Sequence, residues 1–228
     1  MDPDEIVEHI PGMAKAATAL GAAVPFTAIV KRMLGPAADE LAEMLRDQVR
    51  LYRYERQLKC LEKAEQMAKD AGFTPQPVPP KILFPLVEGA SFEEDEDLHT
   101  MWAALLANAA SPEHAETVRP GFIAILKQMA ADEGLLLNAL YDHTVQQENR
   151  ISSDQKPLSL FFTGDVVNTI ARSLARDLVR WSICLDRLQS PQVLQRRFDV
   201  PGQEIYMLTI SGRRFVEACR PPKPKENG

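Results

Sequence analysis

Residues 37–71 read AADELAEMLRDQVRLYRYERQLKCLEKAEQMAKDA, and this stretch decides the fold class. It holds no proline and no glycine, and Gly35-Pro36 and Gly72 stand at its two ends. Proline suits a first helical turn and glycine the position just past a last one. Residues 37–71 are therefore predicted to form one helical rod about 52 Å long, at 1.5 Å per residue. Leu41, Met44, Leu45, Tyr52, Leu58, Leu61 and Ala68 supply an apolar stripe, interrupted by the polar stretch Arg53 to Gln57. A rod of this length needs a partner surface, in its own chain or in a second copy. A homo-oligomer is the expected state.

Outward from the rod, Met13 to Leu34 is rich in Ala and Gly and apolar all round, with Pro25 dividing it. Such a segment packs into a core. The sharper alternative is a membrane-active segment. Its longest uncharged run, Ala16 to Val30, is shorter than the ~20 residues that span a bilayer. On the other side, Thr74-Pro75-Gln76-Pro77-Val78-Pro79-Pro80 reads as a stiff extended spacer. Lys81 to Val87 follows as a short apolar helix or turn. Ser91 and Glu94 match a capping box, with the acidic run Glu93 to Asp97 in the first turn of the helix it opens. Leu98, Trp102, Leu105, Leu106 and Ala109 give that helix a buried face. Helices are expected at Phe122–Met129 and Glu133–Thr144, a loop over Gln146–Pro157, and a helix or helix pair over Gly164–Leu188. Val193–Phe198 and Glu204–Leu208 alternate like two strands around Pro201-Gly202. Thr209 reads as the N-cap of a last helix ending near Cys219, before a frayed tail.

The 228 residues carry a net charge of −6, with 45% hydrophobic and 25% charged side chains, ordinary globular values. The charge is split: residues 1–150 hold 14 Lys and Arg against 24 Asp and Glu, and residues 151–228 hold 12 against 8. Only the second region favours a polyanion. Cys60, Cys184 and Cys219 are odd in number and far apart, which points to free thiols and a reducing, cytoplasmic setting. The acidic start, Asp2, Asp4 and Glu5, does not fit a secretory signal.

Two stretches resemble the abortive infection alpha family. One is Leu34-Gly35-Pro36-Ala37-Ala38-Asp39-Glu40-Leu41 with the Arg- and Tyr-rich rod behind it. The other is Glu96-Asp97-Leu98, Trp102 and Leu105-Leu106-Ala107-Asn108-Ala109, continuing to Pro120, Phe122 and Leu126. With the proline-rich spacer between them, the resemblance covers residues 13–145. It implies a bacterial, often prophage-carried protein linked to abortive infection, with no established catalytic residue to carry over. Trp102 and Asn108 are explained equally well by packing and capping. The end of the chain, Tyr206-x-Leu208-Thr209-x-x-Gly212-x-x-Phe215, resembles the close of a winged-helix domain, a fold used both on DNA and for protein docking.

No enzyme motif is present: no phosphate-binding glycine loop, no H-E-x-x-H and no G-x-S-x-G. No catalytic residue, metal site or cofactor is expected. Asp95 and His99 share a helix face but read as a helix start with a charge pair. The strongest polar constellation is an arginine face. On one helix of 100° per residue, Arg172, Arg176, Arg180 and Arg187 lie within about 80° of each other. Leu174, Leu178, Trp181, Leu185 and Leu188 lie opposite, and Arg196 and Arg197 add charge nearby. Such a face either meets phosphates or is solvated, with Asp177 and Asp186 as pairing partners.

The expected fold is mainly α: a helical domain with one long helix over residues 1–131, then a small winged-helix-like α+β domain over 132–220 and a disordered tail. The expected function is a non-enzymatic phage-defence protein acting through an unidentified protein partner. The alternatives are a nucleic-acid-binding regulator using the arginine face, and a membrane-active effector using residues 13–34.

Overall fold

A computed structural model describes residues 51–150, 161–174, 178–200 and 203–224. The chain divides into two compact units, Met1–Ile123 with Pro221–Gly228, and Ala124–Arg220. Among the described residues the protein is mainly helical, with one small antiparallel sheet near the carboxy terminus. Residues 13–34 and the first part of the predicted rod lie outside the described residues. No described helix is long and apolar enough to cross a membrane.

In the first unit, helix α1 (Leu51–Asp70) is the described part of the rod. It ends where the sequence places a glycine. Gly72 adopts φ +78°, its N–H bonds to the Lys69 carbonyl at 3.0 Å, and the Phe73 N–H bonds to Ala68 at 3.1 Å. This pair of bonds satisfies the last free carbonyls of the helix, and its left-handed residue favours glycine. The proline-rich spacer then runs extended over the fold, with Val78 buried and the Gln76 N–H bonded to the Ala110 carbonyl at 2.7 Å.

Helix α2 (Pro80–Phe92) is longer than the short element expected, because Leu83, Leu86, Val87 and Ala90 keep one buried face going to its end. That corrects the expected capping box. Ser91 is not an N-cap: it sits in the last turn of α2 and donates to the Glu88 carbonyl at 2.6 Å. Asp95 caps helix α3 (Glu96–Ala109) instead, accepting from Asp97 N at 3.0 Å and Leu98 N at 2.9 Å. A carboxylate on those free N–H groups also meets the positive end of the helix dipole. Every residue from Met101 to Ala110 is buried, so α3 is the core helix of this unit, packed by α1 and α2.

A short 3-10 turn (Ala115–Thr117) and helix α4 (Pro120–Gln128) lead into helix α5 (Ala131–Arg150). α5 continues through Gln146–Arg150, where the sequence predicts a loop. The extra turn is held from outside, since Arg213 pairs with Glu148 through a 2.9 Å Nη2–Oε2 bond. Strand β1 (Phe161–Thr163), helices α6 (Gly164–Ser173) and α7 (Leu178–Gln189), strands β2 (Leu194–Val200) and β3 (Gln203–Leu208), and helix α8 (Ile210–Ala218) follow. The sheet order is β1-β3-β2, all antiparallel, with Phe162 opposite Tyr206 and Leu194 opposite Leu208. Both predicted strands and the Thr209 cap are present, with Thr209 Oγ1 accepting from Gly212 N at 2.8 Å.

Candidate functional site

The arginine face is the natural place to begin. α6 and α7 are separate helices, so the single-helix projection does not carry across residues 175–177, which lie outside the described residues together with Arg176. Arg172 is exposed in the last turn of α6. Arg180 and Arg187 lie on α7 and meet two carboxylates at the start of α5: Arg180 pairs with Asp132, and Arg187 with Glu133. The carboxylates are the buried partners, 7% and 5% exposed, while both arginine side chains are 58% exposed. Glu133 also accepts from the Ala130 N–H at 2.8 Å, and Arg187 Nη2 donates to the Gln128 carbonyl at 3.2 Å. The same two acids thus start α5 and hold α7 against it. Arg196, on β2, pairs with Glu204 and lies 3.6 Å from Asp186. Arg197 is exposed on the same strand.

Other arginines of this unit are used the same way. Arg213 joins Glu148 and Glu217, and Arg220 reaches Asp142 at 2.6 Å while stacking on Tyr141. Arginine suits this role because its planar fork meets a carboxylate in fixed geometry. Asp132 and Glu133 were not singled out from the sequence. The signal that could have found them is Glu133 three residues after the helix-starting Ala130, a capping spacing.

α7 buries Trp181, Cys184, Leu185 and Leu188. Its other face carries two apolar side chains into solvent, Val179 at 66% and Ile183 at 55% exposure. They are four residues apart, hence neighbours on the helix surface. Isolated exposed apolar residues are ordinary; here two of them adjoin on the outer face of one short helix.

The first unit holds a second polar cluster. Arg56, Lys59 and Lys63, one face of α1, converge on Glu96 in the first turn of α3 at 2.5, 2.9 and 3.2 Å. Hydrogen bonds from Lys59, then Arg56 and Lys63, hold the Glu96 carboxyl well below its ordinary range. Within the acidic run, Glu96 is thus the residue that meets the basic face of α1. Beside it, buried His99 donates from Nε2 to the Arg56 carbonyl at 2.9 Å. Burial, above all, pushes its imidazole down from 6.5 to about 4. Asp95 is occupied with its cap, and no described group of three His, Cys, Asp or Glu side chains is arranged to hold a metal. The three cysteines are free and buried, and burial raises each thiol, that of Cys60 to about 12.

The His99 arrangement fixes a pH dependence. The unfolded imidazole binds its proton near 6.5 and the folded one near 4, so between those values the unfolded state holds more protons and stability falls as pH falls. Glu96, with an ordinary value of 4.5 and a lower folded one, loses its contribution only below that window. Urea midpoints are expected to drop between pH 6.5 and 4.5, and His99→Gln should flatten that drop. A wild-type midpoint that is level across the window counts against the assignment.

The described units define a class: a mainly helical protein whose polar side chains are engaged in caps and ion pairs. The abortive infection alpha family matches residues 55–219, and the chain belongs to that family. Compared with the resemblance over residues 13–145, the match begins later, leaving out Leu34–Leu41, and reaches further toward the carboxy terminus, taking in the hairpin and α8. No curated protein and no solved structure matches the chain.

Proposed function

We propose that this chain is a non-enzymatic component of abortive-infection phage defence that works through protein contacts made by α7. Membership of the family supports the defence role. The observation that carries the protein-contact reading is the make-up of α7 itself. Its two arginines are tied to Asp132 and Glu133, and Val179 and Ile183 stand outward. A helix reading DNA offers cations to phosphates and polar groups to base edges. This one offers an aliphatic pair.

The carboxy-terminal unit supports a winged-helix reading by its element order, helix–strand–helix–helix–strand–strand, and by the strand order β1-β3-β2. In that reading α7 takes the position of the helix that enters the major groove in DNA-binding helix-turn-helix proteins. That position, with the exposed Arg172 and Arg197 flanking the same region, is what favours the regulator alternative.

The test is Ile183→Glu in the native host, challenged with phage. Protection is expected to be lost, with circular dichroism and melting unchanged because Ile183 is exposed. Retained protection would remove α7 as the working surface. A parallel measurement separates the alternative: duplex DNA at ~0.15 M salt is expected to bind negligibly. Tight, salt-sensitive binding weakened by Arg172→Glu would put the regulator reading first. Charge reversal at Arg180 is a poor probe, since it would set two carboxylates against each other at Asp132.

A further inference from the structure

The outer face of α7 also specifies a partner by its own pattern. Measured from Ile183 at 100° per residue, Val179 lies at about −40°, Asp186 at about −60°, Arg187 at about +40° and Arg180 at about +60°. All of these side chains are exposed. The face therefore has an aliphatic centre, an arginine edge and an edge that carries one aspartate.

We infer that this face docks against the same face of a second copy of the chain, the two α7 helices lying parallel about a two-fold axis. The inference rests on the proposed role of α7 in protein contacts and names the partner. A two-fold interface must be complementary to itself. In a parallel pair the edges cross over, so Arg187 of one copy stands at the level of Asp186 of the other, and the reverse. Arg187 keeps its bond to Glu133 and Asp186 its contact with Arg196, but the two side chains are 58% and 65% exposed and each has room for a second partner. Ile183 then meets its own copy on the axis, and the stem of Arg180 covers the other copy's Val179. In an antiparallel pair like edges meet instead. Arg180 would face the other copy's Arg187, and Val179 the other copy's Asp186. Edge charges of this kind set helix orientation in paired helices, and here they select the parallel one.

The contact is small. One face of a 12-residue helix falls in the range of weak, transient interfaces, below about 1,200 Å². Dimerisation is therefore expected in the micromolar range, not as an obligate assembly.

The experiment is sedimentation velocity on the full chain from about 1 to about 200 µM, a range suited to a weak interface. A reversible monomer–dimer equilibrium is expected, and Ile183→Glu should abolish it. Orientation is read from Ser190→Cys, since Ser190 lies near the seam at about −20°. Parallel helices bring the two introduced thiols together, and mild oxidation should give a disulfide-linked dimer. Antiparallel helices would hold them about 21 Å apart, too far to bridge. A wild-type chain that is monomeric throughout, or a dimer indifferent to Ile183→Glu, overturns the self-docking. A dimer without the Ser190→Cys bridge overturns its orientation. If Ile183→Glu abolishes protection in a chain that never dimerises, self-docking fails while the protein-contact reading stands. If the variant is monomeric yet protects fully, self-docking stands and the proposed role of α7 fails.

Discussion

Gly212→Ala is expected to lower the melting temperature of the carboxy-terminal unit more than any other single methyl added at a described glycine. Gly212 sits three residues past the Thr209 cap, where the start of α8 presses on the residue before β2. A Cβ there would lie 2.0 Å from the Val193 carbonyl oxygen and 2.8 Å from its carbonyl carbon. Those atoms are backbone, and the carbonyl is engaged, accepting from the Thr209 N–H at 3.1 Å. Thr209 Oγ1 meanwhile bonds to the Gln192 carbonyl at 2.5 Å and accepts from Gly212 N. No side chain can rotate out of the way, so α8 must move off the sheet, losing the cap and disturbing buried Phe215 and Val216. Overpacking of this kind costs about 3 kcal/mol at the upper end of its usual range. For a domain of this size that corresponds to about 12–24 °C. Ser211→Ala, one exposed residue away, is the control and should change little. A Gly212→Ala protein that melts within a few degrees of wild type would show that this contact is loose.

The carboxy-terminal hairpin was legible because its signals are local: alternation in two short runs, a Pro-Gly turn, and threonine three residues before glycine. α3 was legible for the same reason, since Leu98, Trp102, Leu105, Leu106 and Ala109 repeat at helical spacing and all are buried. The polar break at Arg53–Gln57 misled in degree. Arg56 and Gln57 are buried within the helix, Arg56 because its guanidinium reaches Glu96 across to α3. Such a partner is 40 residues away, and no window along the chain reveals it. Ser91 failed for a related reason. S-x-x-E and Asp95 are both sound helix starts locally, and only the buried face of α2, continuing to Ala90, decides between them.

The arginine face illustrates the limit most clearly. Helical spacing finds where arginines lie relative to leucines, but not which carboxylates from another element will meet them. Asp132 and Glu133 are 48 and 54 residues from Arg180 and Arg187. Their pairing gives Arg180 and Arg187 a structural task, holding α7 to the start of α5, that the helical spacing alone does not show. Ile183 and Val179 were passed over because they fall outside the leucine stripe. That position is what places them in solvent.

In the first unit the largest effect is expected where Gly89 meets Trp102. Trp102 is 1% exposed, and a Cβ on Gly89 would lie 2.4, 2.8 and 2.9 Å from three atoms of its six-membered ring. The indole is rigid and walled in by a helix buried on every side, so it cannot yield as a flexible chain end would. Gly89→Ala should cost about 1–3 kcal/mol by overpacking. Trp102→Ala should cost about 3–5 kcal/mol, by lost burial and the cavity it leaves. The indole N–H has no hydrogen-bond partner among the described residues, so no described bond is lost with it. Trp102→Phe removes the ring atoms that the new methyl would strike. In the Gly89→Ala/Trp102→Phe pair the methyl then enters the space the larger ring vacated. The double variant should be more stable than the sum of its single losses predicts, with a coupling of about 1 kcal/mol or more, as found for residues sharing one cavity. Urea unfolding of the four proteins measures that coupling directly. Strict additivity would mean that Gly89 is tolerated near Trp102 rather than required by it, and that α2 approaches α3 for other reasons.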